Sequence, residues 1–134
     1  MSGDDPLAAM PPAARLLGRR IIAVDRQHGA VELAFTATAE FANRHGHVQG
    51  GLLAAMLDST VGCAAVAALD GGSVVTLSMN VTYLRPAAIG PLHGGGRVVH
   101  RGGSTIFANG ELRDSDGAVV ASATATLRIV RAKD

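Results

Sequence analysis

The sequence lacks tryptophan and has few aromatic residues of any kind, which make up 3% of its 134 residues. Apolar residues nevertheless account for 48%, so a hydrophobic core has to be built from alanine, valine, leucine and isoleucine. These side chains are small and allow close packing between elements. The length predicts a single domain. Because domains of this size bury only about two-thirds of the surface of the unfolded chain, we expect association between copies to add stability.

The sequence also lacks a marked excess of positive or negative charge, and it has one cysteine. The net charge is +1, and no run of lysine and arginine exceeds two residues. A nucleic-acid partner is therefore not expected. A single cysteine, Cys63, allows no intrachain disulfide, which fits a reducing cytoplasm. Its place in an apolar run favours a small buried side chain over a nucleophile. The N-terminal segment has no basic stretch before an apolar one, so no secretory signal is predicted.

Residues 1–18 are interpreted as an N-terminal extension with a short helix or turn that ends at Gly18, and residues 19–131 as one domain. In segment 19–38, Val31, Leu33 and Phe35 alternate with other residues, which predicts a β-hairpin with one buried face. A β-branched run follows the central apolar segment and ends at Pro86. Glycines and the turn signal "SDG" then separate strands predicted at about 92–101, 104–113 and 118–130. The C-terminal part is therefore expected to be a β-meander.

The segment "LLAAMLDSTVGCAAVAAL", residues 52–69, is rich in good helix formers and predicts one long helix. Its apolar residues fall on every side, so we expect it to be buried all round. Only a curved sheet can cover a single helix in this way, which indicates an α+β fold. The segment is nearly as long as a membrane-spanning helix, which needs about 20 residues. However, Asp58, Ser59 and Thr60 at its centre argue against a membrane helix.

The polar residues near the start of this helix do not form a strong metal or catalytic-triad pattern. His45, His47 and Asp58 offer three ligand atoms, but no further pair has suitable spacing, so no metal is expected. No G-x-S-x-G elbow occurs. The glycine-rich "GPLHGGGRVVHRGG" lacks the lysine and hydroxyl residue of a P-loop. It is predicted to be a mobile hairpin or a strand connection.

Gly50, Gly51 and Asp58 indicate a different chemistry. Glycines at a helix start leave free N–H groups at the positive end of the helix dipole and let a ligand approach the backbone. Such a helix start can polarise a carbonyl as an oxyanion hole does. Asp58, about two turns further on, could act as a nucleophile or as a general base on water. The combination indicates acyl hydrolysis. The alternative is a structural Asp58, buried and bonded to a neighbouring serine or threonine.

Residues 43–62, "NRHGHVQGGLLAAMLDSTVG", resemble the N-x(5)-H-G-G-x(6)-D-x(3)-G pattern of hotdog-fold acyl-CoA thioesterases of the PaaI type, in the 4-hydroxybenzoyl-CoA thioesterase superfamily. The segments "VVTLSMNVTYLRPA" and "VVHRGGSTIFANGELRDSDGAVVASATATLRIV" are similar to the family's following strand and closing meander. The resemblance covers about residues 20–130. It implies a hotdog fold, an antiparallel sheet wrapped around one long central helix. It also implies a homodimer with shared active sites, and in many members a dimer of dimers.

The resemblance also implies roles for individual residues. Asp58 would activate water or attack the thioester, and Gly50 would offer its N–H to the thioester carbonyl. Asn43 would help to position substrate or water, and the hydroxyl of Thr76 would orient the water. The glycine and the aspartate of one site would come from different subunits. The sequence departs from the family at Gln49, which replaces the histidine of H-G-G. Glutamine can donate a hydrogen bond but cannot carry a proton at neutral pH.

Coenzyme A would be part of the substrate, and no separate cofactor is expected. The resemblance implies that it contacts strand edges near the subunit interface, where the matching regions hold the candidate substrate-binding residues Gly51, Arg85, Arg101, Ser104 and Thr105. Arginine is suited to phosphate recognition. We therefore expect a cytoplasmic homo-oligomeric thioesterase that hydrolyses an acyl- or aryl-CoA.

Two alternatives remain open at this point. One is a non-catalytic acyl-CoA-binding protein of the same fold, which the glutamine at position 49 favours. The other is a hotdog enoyl-CoA hydratase or dehydratase, although the sequence has no D-x(4)-H pattern. The acyl group is also open, since Ala54, Ala55 and Gly62 would admit an aryl ring or a medium chain.

Overall fold

The computed structural model describes residues 7–131 and shows a six-stranded antiparallel sheet that packs against one long helix. The elements in chain order are α1 (Pro12–Leu16), β1 (Arg20–Asp25), β2 (Ala30–Ala37), a short 3-10 turn (Ala39–Phe41), α2 (Gly50–Ala67), β3 (Ser73–Tyr83), β4 (Gly90–Arg101), β5 (Thr105–Arg113) and β6 (Val119–Val130). The predicted hotdog architecture is confirmed. Residues 1–6 of the predicted N-terminal extension lie outside the described residues.

The strand order across the sheet is β1-β2-β4-β5-β6-β3. The predicted hairpin is confirmed as β1 and β2, and the predicted meander as β4, β5 and β6. The position of β3 differs from that expected in a simple meander, because β3 follows α2 in the chain yet lies at the far edge of the sheet beside β6. The chain crosses the sheet through α2, and only the long-range pairing decides where the next strand docks. As a result, β3 is an edge strand, and among residues 7–131 no strand pairs with its outer side.

Three glycines of the sheet allow the second half of α2 to lie directly on the strands. A Cβ atom at Gly96 would stand 2.8 Å from the carbonyl oxygen of Thr60, and one at Gly94 would stand 2.7 Å from the Thr60 hydroxyl. A Cβ at Gly110 would stand 3.1 Å from Val61. Side chains at Gly94 and Gly96 would therefore force the helix away from the sheet. Most of the run "GPLHGGGRVVHRGG" forms the interior strand β4, so the strand predicted at about 92–101 is confirmed and the prediction of a mobile hairpin or strand connection is wrong.

The core lies between one face of the sheet and α2. Its largest fully buried side chains come from both layers: Leu33, Phe35, Met56, Leu57, Thr60, Val61, Ile106, Leu112, Val120 and Leu127. The helix is long and apolar enough, by length and composition alone, to cross a membrane. In the fold it serves as the core helix, since its most apolar side chains pack on the sheet.

The helix is not buried all round, contrary to the sequence prediction. In the single chain Gly51 and Asp58 are exposed, whereas most of the residues after Asp58 are buried. One sheet cannot close completely around a helix, so a strip of α2 near its start stays uncovered. The N-terminal segment covers part of the remaining surface, because Arg19 donates hydrogen bonds to the Ser59 hydroxyl (2.9 Å) and to the Ala9 carbonyl (2.9 Å).

Candidate active site

The loop before α2 is shaped by Asn43. Its side-chain oxygen accepts hydrogen bonds from the backbone N–H groups of His45 (2.9 Å) and His47 (3.1 Å). Gly46, at φ +82°, completes the turn in a conformation that favours glycine. The structure therefore shows Asn43 fixing the path of the backbone into the helix, with its amide oxygen engaged inside the loop.

The start of α2 leaves two backbone donors free. The N–H groups of Leu52 (2.9 Å) and Leu53 (3.3 Å) both donate to the carbonyl of Gln49, but those of Gly50 and Gly51 have no hydrogen-bond partner within residues 7–131. The side chain of Gln49, the N-cap residue, makes no capping hydrogen bond either. Two free N–H groups thus point out of a helix start, where the helix dipole is positive.

Tyr83, at the end of β3, holds this helix start in place. Its hydroxyl donates a 2.9 Å hydrogen bond to the carbonyl of Gly50. The ring also lies against the glycine, since a Cβ at position 50 would stand 3.3 Å from the ring carbon Cζ. A side chain at position 50 would therefore crowd the Tyr83 ring, which is a steric reason for glycine there in addition to the access that glycine gives to the backbone N–H. Tyr83 lies in the segment "VVTLSMNVTYLRPA", but no role was predicted for it, because no local spacing links a residue on a strand to one on a helix.

Asp58 is held by a residue of the edge strand. The hydroxyl of Thr76, on β3, donates a 2.7 Å hydrogen bond to Oδ1 of Asp58. The register of β3 against β6 shifts between Thr76 and Ser78, next to this contact. Asp58 is exposed in the single chain, so the interpretation of a buried structural aspartate does not fit. The structure thus places Thr76 next to Asp58, where its hydroxyl orients the carboxylate.

The free N–H groups at the helix start and the carboxylate of Asp58 are far apart along one helix. Gly50 and Asp58 are eight residues apart in α2, which corresponds to about 12 Å at 1.5 Å per residue. One thioester carbonyl is much smaller than this separation. The N–H groups of Gly50 and Gly51 and the carboxylate of Asp58 in one chain therefore cannot all act on the same carbonyl group.

The candidate coenzyme A residues fall into two places. Arg85 is exposed in the loop that follows β3. Arg101, Ser104 and Thr105 lie at the β4–β5 turn, near the other end of α2, where Arg101 donates a 2.8 Å hydrogen bond to the carbonyl of Ala68. The structure thus groups three of these residues, separates Arg85 from them and engages Arg101 with the helix end.

Two further arginines at this turn were not among the sequence predictions. Arg128 is exposed on β6 and pairs with Thr105 across the sheet, and Arg131 donates a 3.2 Å hydrogen bond to the Gly103 carbonyl. Their position beside the turn arises from the β5–β6 pairing, which no local sequence pattern encodes. Residue spacing in the sequence therefore does not reveal that they lie near Ser104.

Cys63 and the histidines add no second reactive centre. Cys63 is buried, and burial raises the pKa of its thiol, against the opposing effects of the Arg19 charge and a hydrogen bond with Ser59. A protonated buried thiol is a poor nucleophile. Among residues 7–131, no group of three or more histidine, cysteine, aspartate or glutamate side chains is placed to hold a metal ion.

This fold and this arrangement match a known superfamily. The profile of the Thioesterase superfamily matches residues 45–121, which is more than half of the chain, and the chain belongs to that superfamily. It is similar to a phenylacetic acid degradation-related protein of Ralstonia eutropha JMP134, with 44% identity, a TM-score of 0.85, and coverage of 90% of this chain and 92% of the other. The predicted resemblance to PaaI-type hotdog thioesterases is confirmed.

Two more distant structures extend the comparison. The E. coli PaaI protein from the phenylacetic acid degradation operon is 26% identical, with a TM-score of 0.80 and coverage of 87% of this chain and 83% of the other. The smu.793 protein of Streptococcus mutans UA159, solved bound to acetyl-CoA, is 23% identical, with a TM-score of 0.77 and coverage of 87% and 91%. At that identity the second likeness shows the fold alone.

Proposed function

We propose that the protein is an acyl-CoA thioesterase that hydrolyses an acyl- or aryl-CoA to the free acid and CoA. The observation that carries the proposal is the pair of free N–H groups at Gly50 and Gly51, together with an exposed Asp58 carboxylate held by Thr76. The helix start would bind the thioester oxygen, and the carboxylate would drive the attack. Membership of the Thioesterase superfamily supports the same reaction class.

A homodimer would complete each site. β3 is an edge strand of 11 residues with no lysine or proline, and it exposes Val75 (49%) and Leu77 (59%). Long apolar edges of this kind are templates for pairing with another chain. If two β3 strands pair antiparallel about a two-fold axis, the two α2 helices also run in opposite directions. With the axis midway between Thr76, which lies beside Asp58, and Tyr83, which lies beside Gly50, the start of one helix would face the middle of the other, which brings Gly50 of one subunit to Asp58 of the next.

Two chemical routes fit this arrangement. In the first, Asp58 takes a proton from water as the water oxygen attacks the thioester carbon, the C–S bond breaks, and the CoA sulfur leaves and is protonated. In the second, an Asp58 oxygen attacks the thioester carbon and forms an anhydride, which water then hydrolyses. Thr76 orients the carboxylate in either route. Label found in Asp58 after a single turnover in ¹⁸O-labelled water would establish the anhydride route, because water that attacks the Asp58 carbonyl carbon of the anhydride leaves its oxygen in that side chain and the general-base route cannot.

Gln49 would take part as a neutral donor. Its side chain is exposed and makes no capping bond, so its amide is free to donate to a substrate beside the Gly50 N–H. At the other end of the substrate, Ser104, Thr105 and Arg128 would contact the nucleotide phosphates, since hydroxyls and guanidinium groups are good phosphate donors. Arg101 is already engaged by Ala68, and we give it a secondary role.

The decisive experiment compares CoA release by the wild type and by Asp58→Asn over a panel of thioesters. The panel includes phenylacetyl-CoA and benzoyl-CoA, because two similar proteins carry phenylacetic acid degradation in their names, and short and medium acyl chains. Loss of a general base predicts a fall in kcat of about 10²–10⁴-fold. Asparagine can still accept the Thr76 hydrogen bond, so assembly and melting temperature should not change.

The matched control for this variant is Asp70→Asn, which removes an exposed carboxylate beyond the other end of the helix. It should keep the wild-type kcat. Full activity in Asp58→Asn would contradict the mechanism.

A second candidate is a non-catalytic acyl-CoA-binding protein, which Gln49 favours. Tight binding of the same esters with no CoA release by the wild type would support it, and hydrolysis gained in Gln49→His would point to a weakened enzyme.

A further inference from the structure

Tyr83 is the only tyrosine of the sequence, and the residue is 51% exposed in the single chain. Burial in the core therefore does not account for it. Besides its strand pairing with β6, two side-chain contacts link it to Gly50: the hydroxyl donates to the Gly50 carbonyl at 2.9 Å, and the ring lies against the glycine, where a Cβ would stand 3.3 Å from Cζ. An edge strand thus reaches across to one particular peptide group in the first turn of α2.

That peptide group joins Gly50 and Gly51. Its carbonyl oxygen is an acceptor inside the helix, where the i to i−4 pattern pairs it with the N–H of Ala54, and it accepts the Tyr83 hydroxyl as a second donor. Hydrogen bonds to a carbonyl polarise the whole peptide unit, which makes its N–H a stronger donor. The N–H of the same unit belongs to Gly51 and has no partner within residues 7–131.

We propose that Tyr83 is a positioning residue for the thioesterase reaction, which orients the Gly50–Gly51 peptide and strengthens the Gly51 N–H as a second donor to the thioester oxygen. This inference rests on the proposed function. It assigns a residue on the edge strand to control the second of the two backbone donors, the Gly51 N–H. Tyr83 does not touch the reacting atoms; it acts through the peptide group.

The effect should be greatest in the transition state. The thioester oxygen gains negative charge as the carbonyl carbon is attacked, and a polarised donor stabilises that charge more than it stabilises the ground-state carbonyl. Loss of the Tyr83 hydroxyl should therefore lower kcat and leave KM nearly unchanged. A residue that only supports the fold would instead lower stability, or would lower kcat and raise KM together.

The test is Tyr83→Phe, which keeps the ring against Gly50 and removes only the hydroxyl. We expect kcat to fall about 3- to 10-fold, which is the range of one neutral hydrogen bond, with KM changed by less than about 2-fold. The matched control is Thr82→Val, which removes a hydroxyl from the neighbouring exposed position of β3 and should keep both constants. Unchanged kcat in Tyr83→Phe, or an equal fall in Thr82→Val, would overturn the inference.

A second measurement does not depend on turnover. In ¹⁵N-glycine-labelled protein, the amide proton of Gly51 should move upfield in Tyr83→Phe, since a less polarised N–H is more shielded, and should stay in place in Thr82→Val. An unmoved Gly51 signal would refute the polarisation. A wild-type protein that hydrolyses no thioester would instead refute the proposed function, so the two failures are distinguishable.

Discussion

Within residues 7–131, α2 has no side-chain cap at its first turn and leaves the N–H groups of Gly50 and Gly51 free, whereas at its last turn the carbonyls of Ala64, Ala65 and Val66 accept hydrogen bonds. Ala68 and Leu69 donate back into the helix, and Arg101 donates to the Ala68 carbonyl. Unsatisfied groups at a helix end cost stability unless water or a ligand meets them. The contrast indicates that one end of the helix is built to bind and the other to hold the fold together.

The two halves of the helix differ in the same sense. The first half carries the exposed Gly51 and Asp58, and the second half lies on the glycines of β4 and β5 with most of its residues buried. Changes in the first half should therefore affect catalysis, and changes in the second half should affect stability.

Among changes at the two ends of the helix, the largest effect should come from Gly50→Pro. Proline is well suited to the first position of a helix, and Gln49, with ψ 134°, has the extended conformation required before proline. The helix should therefore persist while the N–H at position 50 is lost. We expect kcat to fall about 10²–10³-fold, as for the loss of one oxyanion-hole donor, in steady-state thioester hydrolysis.

The control for this change is Gly50→Ala, which keeps the N–H and places a Cβ 3.3 Å from the Tyr83 ring. Its kcat should remain within about 10-fold of the wild type, because the ring has to shift by only a few tenths of an ångström. Equal losses in the two variants would mean that crowding, and not the lost donor, explains the effect.

In the second half of the helix, Gly96→Ala should lower the free energy of unfolding by about 1–3 kcal/mol. The new Cβ would stand 2.8 Å from the Thr60 carbonyl, a backbone atom that cannot move without displacing the helix. Chemical denaturation at one fixed protein concentration would measure this, since stability of an oligomer depends on concentration.

Gly95→Ala is the matched control in the same strand. A Cβ at Gly95 would meet no atom within 4 Å, so we expect a change within about 0.5 kcal/mol. If both alanine variants were equally stable, close helix–sheet contact would not be the reason for the glycine run.

The smallest effect is expected at the capped end. Arg101→Met removes the donor to the Ala68 carbonyl and should lower the free energy of unfolding by about 0.5–1 kcal/mol. Arg97→Met, on an exposed position of the same strand, is the control and should have little effect. A large rise in KM for a CoA thioester with unchanged stability in Arg101→Met would show instead that the residue serves substrate binding.

Much of the fold follows from local patterns in the sequence. The alternation of Val31, Leu33 and Phe35 predicts the hairpin, and the apolar run after Gly51 predicts the long helix to within two residues at each end. These predictions hold because strand and helix periods are properties of neighbouring residues. The Gly-Gly start and Asp58 are also visible in the sequence, because both lie on one short segment.

Local patterns of residues therefore account for the set of elements, the Gly-Gly helix start and the presence of one carboxylate within the apolar run. The packing of these elements on one another places β3 at the far edge, leaves Asp58 exposed beside Thr76, and seats α2 on the glycine run of β4. It also decides the two contacts that distinguish the helix ends, Tyr83 to Gly50 and Arg101 to Ala68, each between residues 33 positions apart. Contacts over such separations depend on how elements pack together, and no local spacing of residue types encodes them.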